Sequence, residues 1–297
     1  MNKDLGYYLC NGIEFESKIQ ACIYSTQIKK PIEWKFLDDV LDTNDWTIEP
    51  PETLDELYAA RAKQLREEYD YIILQYSGGS DTHNILMTFI NNGIHIDEII
   101  TNTIHSLENK YAIHDIKATN SENILAEYKL QILPRLREIE TLIPKTKITI
   151  YDLSDKIEKS YLEYNDESWI VNKKDRLSPL GSIRFNYFHF EETRKKLDSG
   201  KKIAFIMGVE KINTYTDLND DLFIRFSDLS ANMFTNNYYK DYPSVKVEYF
   251  YWSRYSIKML TKQAHAIKNT LQKNKLYNRL CKNQSYNFVR QFKDIIL

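Results

Sequence analysis

The spacing of apolar residues changes period several times along the chain, and each change marks an element. From Leu54 the positions Leu54, Tyr58, Ala62, Leu65 and Tyr69 recur at intervals of three and four, one face of an α-helix. Thr53 and Glu56 have the spacing of a capping box, so a helix over 54–68 is expected with a defined start. The period then collapses. Tyr71-Ile72-Ile73-Leu74-Gln75-Tyr76 is a compact β-branched and aromatic run that reads as a strand; a turn holding two glycines follows, and Asn84 to Ile90 reads as a buried helix. The alternation continues with a strand over 96–101, a helix over 122–139 that Pro134 kinks or splits, a strand over 147–151 and a helix over 152–161. A helix over 190–197, a fourth strand over 203–207 and a fifth over 245–250 complete it. Strands alternating with helices predict an α/β fold: a doubly wound, mainly parallel five-stranded sheet with right-handed crossovers, in which ligands sit beyond the carboxyl ends of the strands.

The flanks follow other patterns. Tyr7 to Cys10 reads as a short strand, Asn11-Gly12 as a hairpin turn and Lys18 to Tyr24 as a helix, together a small N-terminal α+β cap closed by Pro50-Pro51. Trp34 and Trp46 fall in segments read as irregular, where a large aromatic anchors such a cap onto a main domain. Ile257 to Leu276 and Tyr286 to Ile295 read as two polar helices. The expected division is a cap over 1–52, a main α/β domain over 53–255 and a helical extension over 256–297.

Composition narrows the class. A chain of 297 residues that is 42% hydrophobic can bury a sizeable core without staples. Its three cysteines, Cys10, Cys22 and Cys281, lie far apart with no CxxC or Cys/His spacing, so neither a disulfide framework nor a zinc site is indicated and a reducing, cytoplasmic setting is expected. With 40 basic and 42 acidic residues, no whole-chain field favours nucleic acid or an anionic membrane. No apolar run approaches the ~20 residues that span a bilayer, and Met1 to Gly6 lacks the apolar core of a signal peptide. Heavy use of Lys, Ile, Asn and Tyr fits an AT-rich genome such as those of many phages, which would place the protein in a host cytoplasm. Self-association into a homo-oligomer is left open.

With only 8 glycines in the chain, the adjacent pair in Ser77-Gly78-Gly79-Ser80-Asp81-Thr82 stands out. Two glycines let backbone N–H groups approach an anion, three hydroxyls add donors, and the following helix directs its positive end at the same point. A polyphosphate fits such a loop. Asp81 would repel it unless a divalent cation such as Mg²⁺ lies between. The plainer alternative is a tight strand-to-helix turn in which Ser80 or Asp81 caps the helix.

These six residues resemble the SGGxDS signature of the PP-loop, or N-type ATP pyrophosphatase, superfamily, which includes asparagine, GMP and NAD synthetases, tRNA lysidine synthetase and phosphoadenylyl-sulfate reductases; Thr82 replaces the last Ser. The resemblance covers about three fifths of the chain and extends to phage-encoded members. It implies an adenine nucleotide α-hydrolase-like sheet beginning at Tyr71, ATP and Mg²⁺ as ligands, and attack of an acceptor oxygen on the α-phosphorus to give an adenylate and pyrophosphate. A nucleophile such as ammonia, an amine or a sulfur species then displaces AMP. By the same resemblance Ser77, Gly78, Gly79, Ser80 and Thr82 hold pyrophosphate and Asp81 helps to hold the metal. Catalysis of this kind is positioning and charge stabilisation.

Several residues outside the loop are candidates by position. Asn102, within Thr101-Asn102-Thr103, leaves the second strand on the ligand side and has adenine or ribose within its chemistry, or is a plain polar strand exit. Met207-Gly208-Val209-Glu210-Lys211 leaves the fourth strand on the same side: Gly208 permits close approach, Glu210 suits a metal and Lys211 a phosphate. Lys173 to Arg184 is basic and turn-rich, as a lid over a polyanion or acidic substrate would be, with Arg184 the preferred phosphate or carboxylate partner. The aromatics of Tyr249 to Tyr255 suit a core strand exit better than base stacking. His105, His114 and His265 lack partners at metal or triad spacing and read as surface or structural. Cys281 lacks the tail that sulfonucleotide reductases of this fold carry, so an AMP-forming ligase or transferase is the first expectation. A reductase-like enzyme and a catalytically silent nucleotide-binding protein are the alternatives.

Overall fold

The computed structural model describes residues 3–107, 128–155, 158, 195–196, 198–208, 211–216, 222–226, 228 and 243–274. Strand β1 (Tyr7–Cys10) lies between β2 (Ile13–Phe15) and β3 (Glu33–Lys35) in an antiparallel sheet. The β1–β2 turn needs left-handed backbone at both central residues, and Asn11 (φ 49) and Gly12 (φ 80) supply it. Helix α1 (Lys18–Ile28) follows, its start capped by Ser17. Trp34 is not in an irregular segment: it sits in β3 opposite Tyr8, its ring stacked on Phe36 at 5.2 Å. Backbone pairing to β1, which a short polar-flanked run does not advertise, puts it there. Phe36 in turn packs on Phe226 (5.5 Å) and Trp252 (6.0 Å), an aromatic cluster joining the N-terminal sheet to the main core.

After the short helix α2 (Asp38–Leu41), Trp46 donates from Nε1 to the Leu41 carbonyl at 3.0 Å. Helix α3 (Leu54–Glu68) begins at the expected capping box, with Thr53 and Glu56 bonded reciprocally, and buries Tyr58, Arg61, Ala62 and Leu65. Strand β4 (Tyr71–Gln75) leads through the glycine loop into α4 (Ser80–Asn91). β5 (Glu98–Thr103) lies two residues later than the apolar run predicts. Asp97 is held outside it by Arg66 (2.6 Å) and the Ile72 N–H (2.8 Å). Thr101, Asn102 and Thr103 are strand because β6 (Lys147–Asp152) pairs with them. A π-helical turn at Tyr128–Ile132 runs into α5 (Leu133–Leu142), so Pro134 opens a helix, in the first turn where its missing N–H costs nothing.

Strand β7 (Ile203–Met207) is buried throughout. A hairpin of β8 (Asn213–Thr216) and β9 (Leu222–Arg225), which the apolar pattern did not announce, precedes β10 (Val245–Tyr249) and α6 (Ile257–Lys273). Five strands form the expected sheet, wholly parallel, in the order β10-β7-β4-β5-β6. Half of the helix expected over 152–161, whose first residue instead ends β6, most of that over 190–197 and all of that over 286–295 lie outside the described residues. Among the described residues no helix is long and apolar enough to cross a membrane.

One buried charge fastens a helix to this sheet. Arg61, 3% exposed on α3, donates to Glu248 (2.7 Å) and to the Tyr249 carbonyl (3.0 Å) at the end of β10. Truncation removes the charged partner of Glu248, leaving it the Tyr69 hydroxyl, and takes one donor from the Tyr249 carbonyl, so Arg61→Ala is expected to lower unfolding free energy by about 3–5 kcal/mol in urea titrations. A loss under about 1 kcal/mol would show that the pair does not hold α3 in place.

Candidate functional site

The chain steps from β4 to β5 to β6 in one direction, then returns to β7 on the other side of β4 and on to β10. The carboxyl end of β4 is therefore the switch point of the sheet, where the two crossover directions part and leave a crevice. The glycine loop emerges there.

The loop is braced from within. The Ser77 N–H donates to Thr82 Oγ1 at 3.3 Å, the two hydroxyls lie 3.1 Å apart, and Thr82 Oγ1 donates to the Gly79 carbonyl at 3.3 Å. The hydroxyls of Ser77 and Thr82 thus set loop geometry. Ser80 is exposed at the first helical position. Gly79 is the N-cap and offers no side-chain cap bond to α4, so the first N–H groups of the helix have no side-chain acceptor from their own cap residue.

The three glycines of the site differ in what requires them. Gly78 has φ 76, and a Cβ there would lie 2.6 Å from Ile132 Cγ1. Gly208 passes the first turn of α4 so closely that its Cβ would lie 2.5 Å from Thr82 Cγ2 and 3.2 Å from the Thr82 nitrogen. What passes this close to Gly208 is Thr82 itself, its methyl first and its backbone behind. Gly79 has neither constraint: its φ is −69, and a Cβ would meet only Ser77 Oγ at 3.4 Å. Neither backbone strain nor protein packing calls for glycine at position 79; its effect is to keep the helix start open.

Asp81 and Lys211, 130 residues apart in sequence numbering (211 − 81), are brought together. Lys211 Nζ lies 3.8 Å from Asp81 Oδ1, with the lysine side chain 3% exposed. Neighbouring bonds fix both. Tyr251 donates to the Asp81 carbonyl (3.0 Å) and accepts from Asn84 (3.0 Å). The N–H of Ile212 donates to Gln263 Oε1 (3.3 Å), and Gln263 donates to the Tyr58 hydroxyl (3.1 Å). Burial, joined by the charge of Asp81, pushes the Tyr58 phenol well above its ordinary value, so it stays neutral. Among the described residues no three His, Cys, Asp or Glu side chains form a metal-holding group. Asp81 is a single carboxylate, which suits a Mg²⁺ that takes its remaining ligands from phosphates and water.

A cation that sequence reasoning missed stands on the other side of the loop. Arg135 on α5 donates from Nη1 to the Gly78 carbonyl. Nearby, the Tyr76 hydroxyl lies 3.0 Å from His83 Nδ1, and burial, reinforced by Arg135, lowers the His83 pKa. Nothing local marks Arg135; only the register of α5 behind Pro134 brings it to the loop. Asn102 is carried past the end of β4, since Gln75 at that end pairs with Ile100. Phe250, Tyr251 and Trp252 are core residues, and His265 contacts the Trp46 carbonyl at 3.1 Å in a structural setting. Arg184, the rest of Lys173 to Arg184, Glu210, His114 and Cys281 lie outside the described residues.

No family model and no curated protein matches the chain.

The glycine geometry predicts three unequal variants. Gly78→Ala and Gly208→Ala are each expected to destabilise by about 1–3 kcal/mol, the first from left-handed backbone and overpacking, the second from overpacking alone. Gly79→Ala is expected to change stability by less than about 0.5 kcal/mol. Denaturant titration of the three proteins checks this, and a Gly79→Ala variant as unstable as the other two would contradict the open position.

Proposed function

We propose that this protein binds ATP with Mg²⁺ through Ser77 to Thr82 and is an AMP- and pyrophosphate-forming ligase or transferase of the PP-loop type. The observation that carries the reading is Gly79. A glycine that neither strain nor packing demands is the N-cap of α4, in the loop that leaves the central strand at the switch point of a parallel sheet. Glycine also serves a plain N-cap, so it is the place of this one at the switch point, with Lys211 and Arg135 beside the loop, that favours an anion.

In this reading the β,γ-phosphates lie over the N–H groups of Ser80 and Asp81, between Lys211 on one side and Arg135 on the other. Asp81 would help to hold Mg²⁺, and Lys211, beside it, would meet phosphate. The metal supplies charge neutralisation between carboxylate and phosphates. An acceptor oxygen attacks the α-phosphorus, pyrophosphate leaves, and an amine, ammonia or sulfur nucleophile displaces AMP from the adenylate. The two flanking cations stabilise charge growing on the leaving pyrophosphate. The acceptor is a small molecule or nucleobase bearing a carbonyl or carboxylate oxygen, and no sulfur chemistry of the protein's own is needed.

Radiolabelled ATP with Mg²⁺ and a deproteinised metabolite pool tests the reading. Saturable binding with release of AMP and pyrophosphate is expected, and absence of saturable ATP binding would falsify it. Binding without turnover would instead identify a silent nucleotide-binding protein, and sulfite release from an adenylyl sulfate a reductase.

Two variants probe the loop. Gly79→Ala is expected to weaken ATP binding by at least about tenfold while remaining folded, because its methyl occupies the anion's place. Asp81→Asn, which keeps the side-chain shape, is expected to remove the Mg²⁺ dependence of binding; unchanged metal dependence would take Asp81 out of the metal role.

A further inference from the structure

The carboxyl ends of β5 and β6 carry a constellation that nucleotide binding leaves unused. β6 ends on Asp152, paired in register with Thr103 at the end of β5. The chain leaving β5 turns so that Ser106 donates to Asp152 Oδ2 from its N–H (3.2 Å) and from its hydroxyl. Ser154 serves the other oxygen, donating to Oδ1 from its N–H (3.0 Å) and its hydroxyl (2.5 Å). Burial opposes ionisation of this carboxyl, but the bonds from Ser106 and Ser154, with the charge of His105, outweigh it and hold its pKa below the ordinary value.

His105 faces that fixed carboxylate. Its Nδ1 stands 3.3 Å from Asp152 Oδ2, and its side chain is 50% exposed. The ring lies nearly parallel to that of Tyr128, with centroids 6.2 Å apart and planes at 12°. Burial and then the charge of Asp152 raise the Tyr128 pKa, against a smaller pull from Arg137, so Tyr128 is a neutral wall. With Nδ1 toward the carboxylate and the side chain half exposed, Nε2 is the ring nitrogen left for a ligand.

The same segment reaches the glycine loop. Tyr128 opens the π-helical turn that ends at Ile132, against Gly78, and Arg135 bonds the Gly78 carbonyl. His105 therefore lies on the same edge of the sheet as the loop, one strand over, joined to it by one short piece of chain.

We infer that His105, oriented by Asp152, is the proton acceptor of this crevice and serves a nitrogen nucleophile, ammonia or an amine. The inference rests on the adenylating function proposed above. As the nitrogen lone pair bonds to the adenylated carbon, the C–O bond to AMP breaks, its electron pair leaving on the phosphate oxygen. The nitrogen's proton passes to His105 Nε2. Asp152 stabilises the resulting imidazolium, which returns the proton to water and regenerates the base. Asp152 is a positioning residue in this scheme, since it acts only through His105.

Two measurements decide it. Long-range ¹H–¹⁵N correlation on labelled protein, with the ring neutral, reads the tautomer: the proton is expected on Nδ1 in the wild type and shifted toward Nε2 in Asp152→Asn. A wild-type Nε2–H tautomer overturns the inference. With MgATP, ammonium and the deproteinised metabolite pool, His105→Asn and His105→Gln are both expected to slow AMP release by about 10²-fold or more with ATP affinity unchanged. Wild-type release rates in either folded variant overturn it, as does a wild type that binds ATP and releases no AMP. A wild type that binds no ATP defeats the nucleotide reading instead, and the tautomer still decides whether Asp152 sets the imidazole.

Discussion

Where the chain leaves β7 it must cross the first turn of α4, and that crossing holds the two halves of the sheet in one geometry. Gly208 lies against Thr82 with no room for a methyl group, and three residues later Lys211 reaches Asp81 on the same turn. A buried ammonium is costly unless a carboxylate is at hand, so the pair is worth more as a specification of position than as a source of stability. Moving either strand would separate the charges or drive Gly208 into the helix. The switch point, the loop and the crevice all inherit their shape from this contact.

Around it the loop is set before any ligand arrives. Ser77 and Thr82 bond to each other and to loop backbone, Arg135 takes the Gly78 carbonyl, and Ile132 closes on the one face of Gly78 where a side chain would stand. These contacts restrict the loop; under the proposed function they would remove motions that an anion would otherwise have to freeze. The same economy recurs at Asp152, where four donors from two serines fix one carboxylate and, through it, the face that His105 presents.

Buried and half-buried charge fastens the rest of the sheet. Arg61 on α3 reaches Glu248 and the end of β10, and Arg66 reaches Asp97 just before β5. Glu98, fully buried at the start of β5, accepts from Tyr71 (3.1 Å), Thr149 (2.5 Å) and Lys196. Each pair joins elements distant in sequence. Apolar packing alone tolerates sliding of a helix over a sheet, whereas a directional buried pair does not.

Much of the fold was legible along the chain because its causes are local. The capping box at Thr53 and the period of three and four after it fixed α3 to the residue, the β-branched run fixed β4 and β7, and Asn11-Gly12 fixed the first hairpin. The glycine loop was legible for the same reason, since conformation and charge at a helix start depend on neighbours in sequence. Local pattern misassigned Trp34, started β5 two residues early and was silent on the hairpin of β8 and β9, because backbone pairing to another strand decided each. The site divides in the same way. Sequence determined the loop and pointed to Gly208 and Lys211. Only the tertiary structure decided that Lys211 meets Asp81, that Arg135 serves the loop and that His105 has Asp152 for a partner, because a contact across the sheet has no spacing in the chain by which to announce itself.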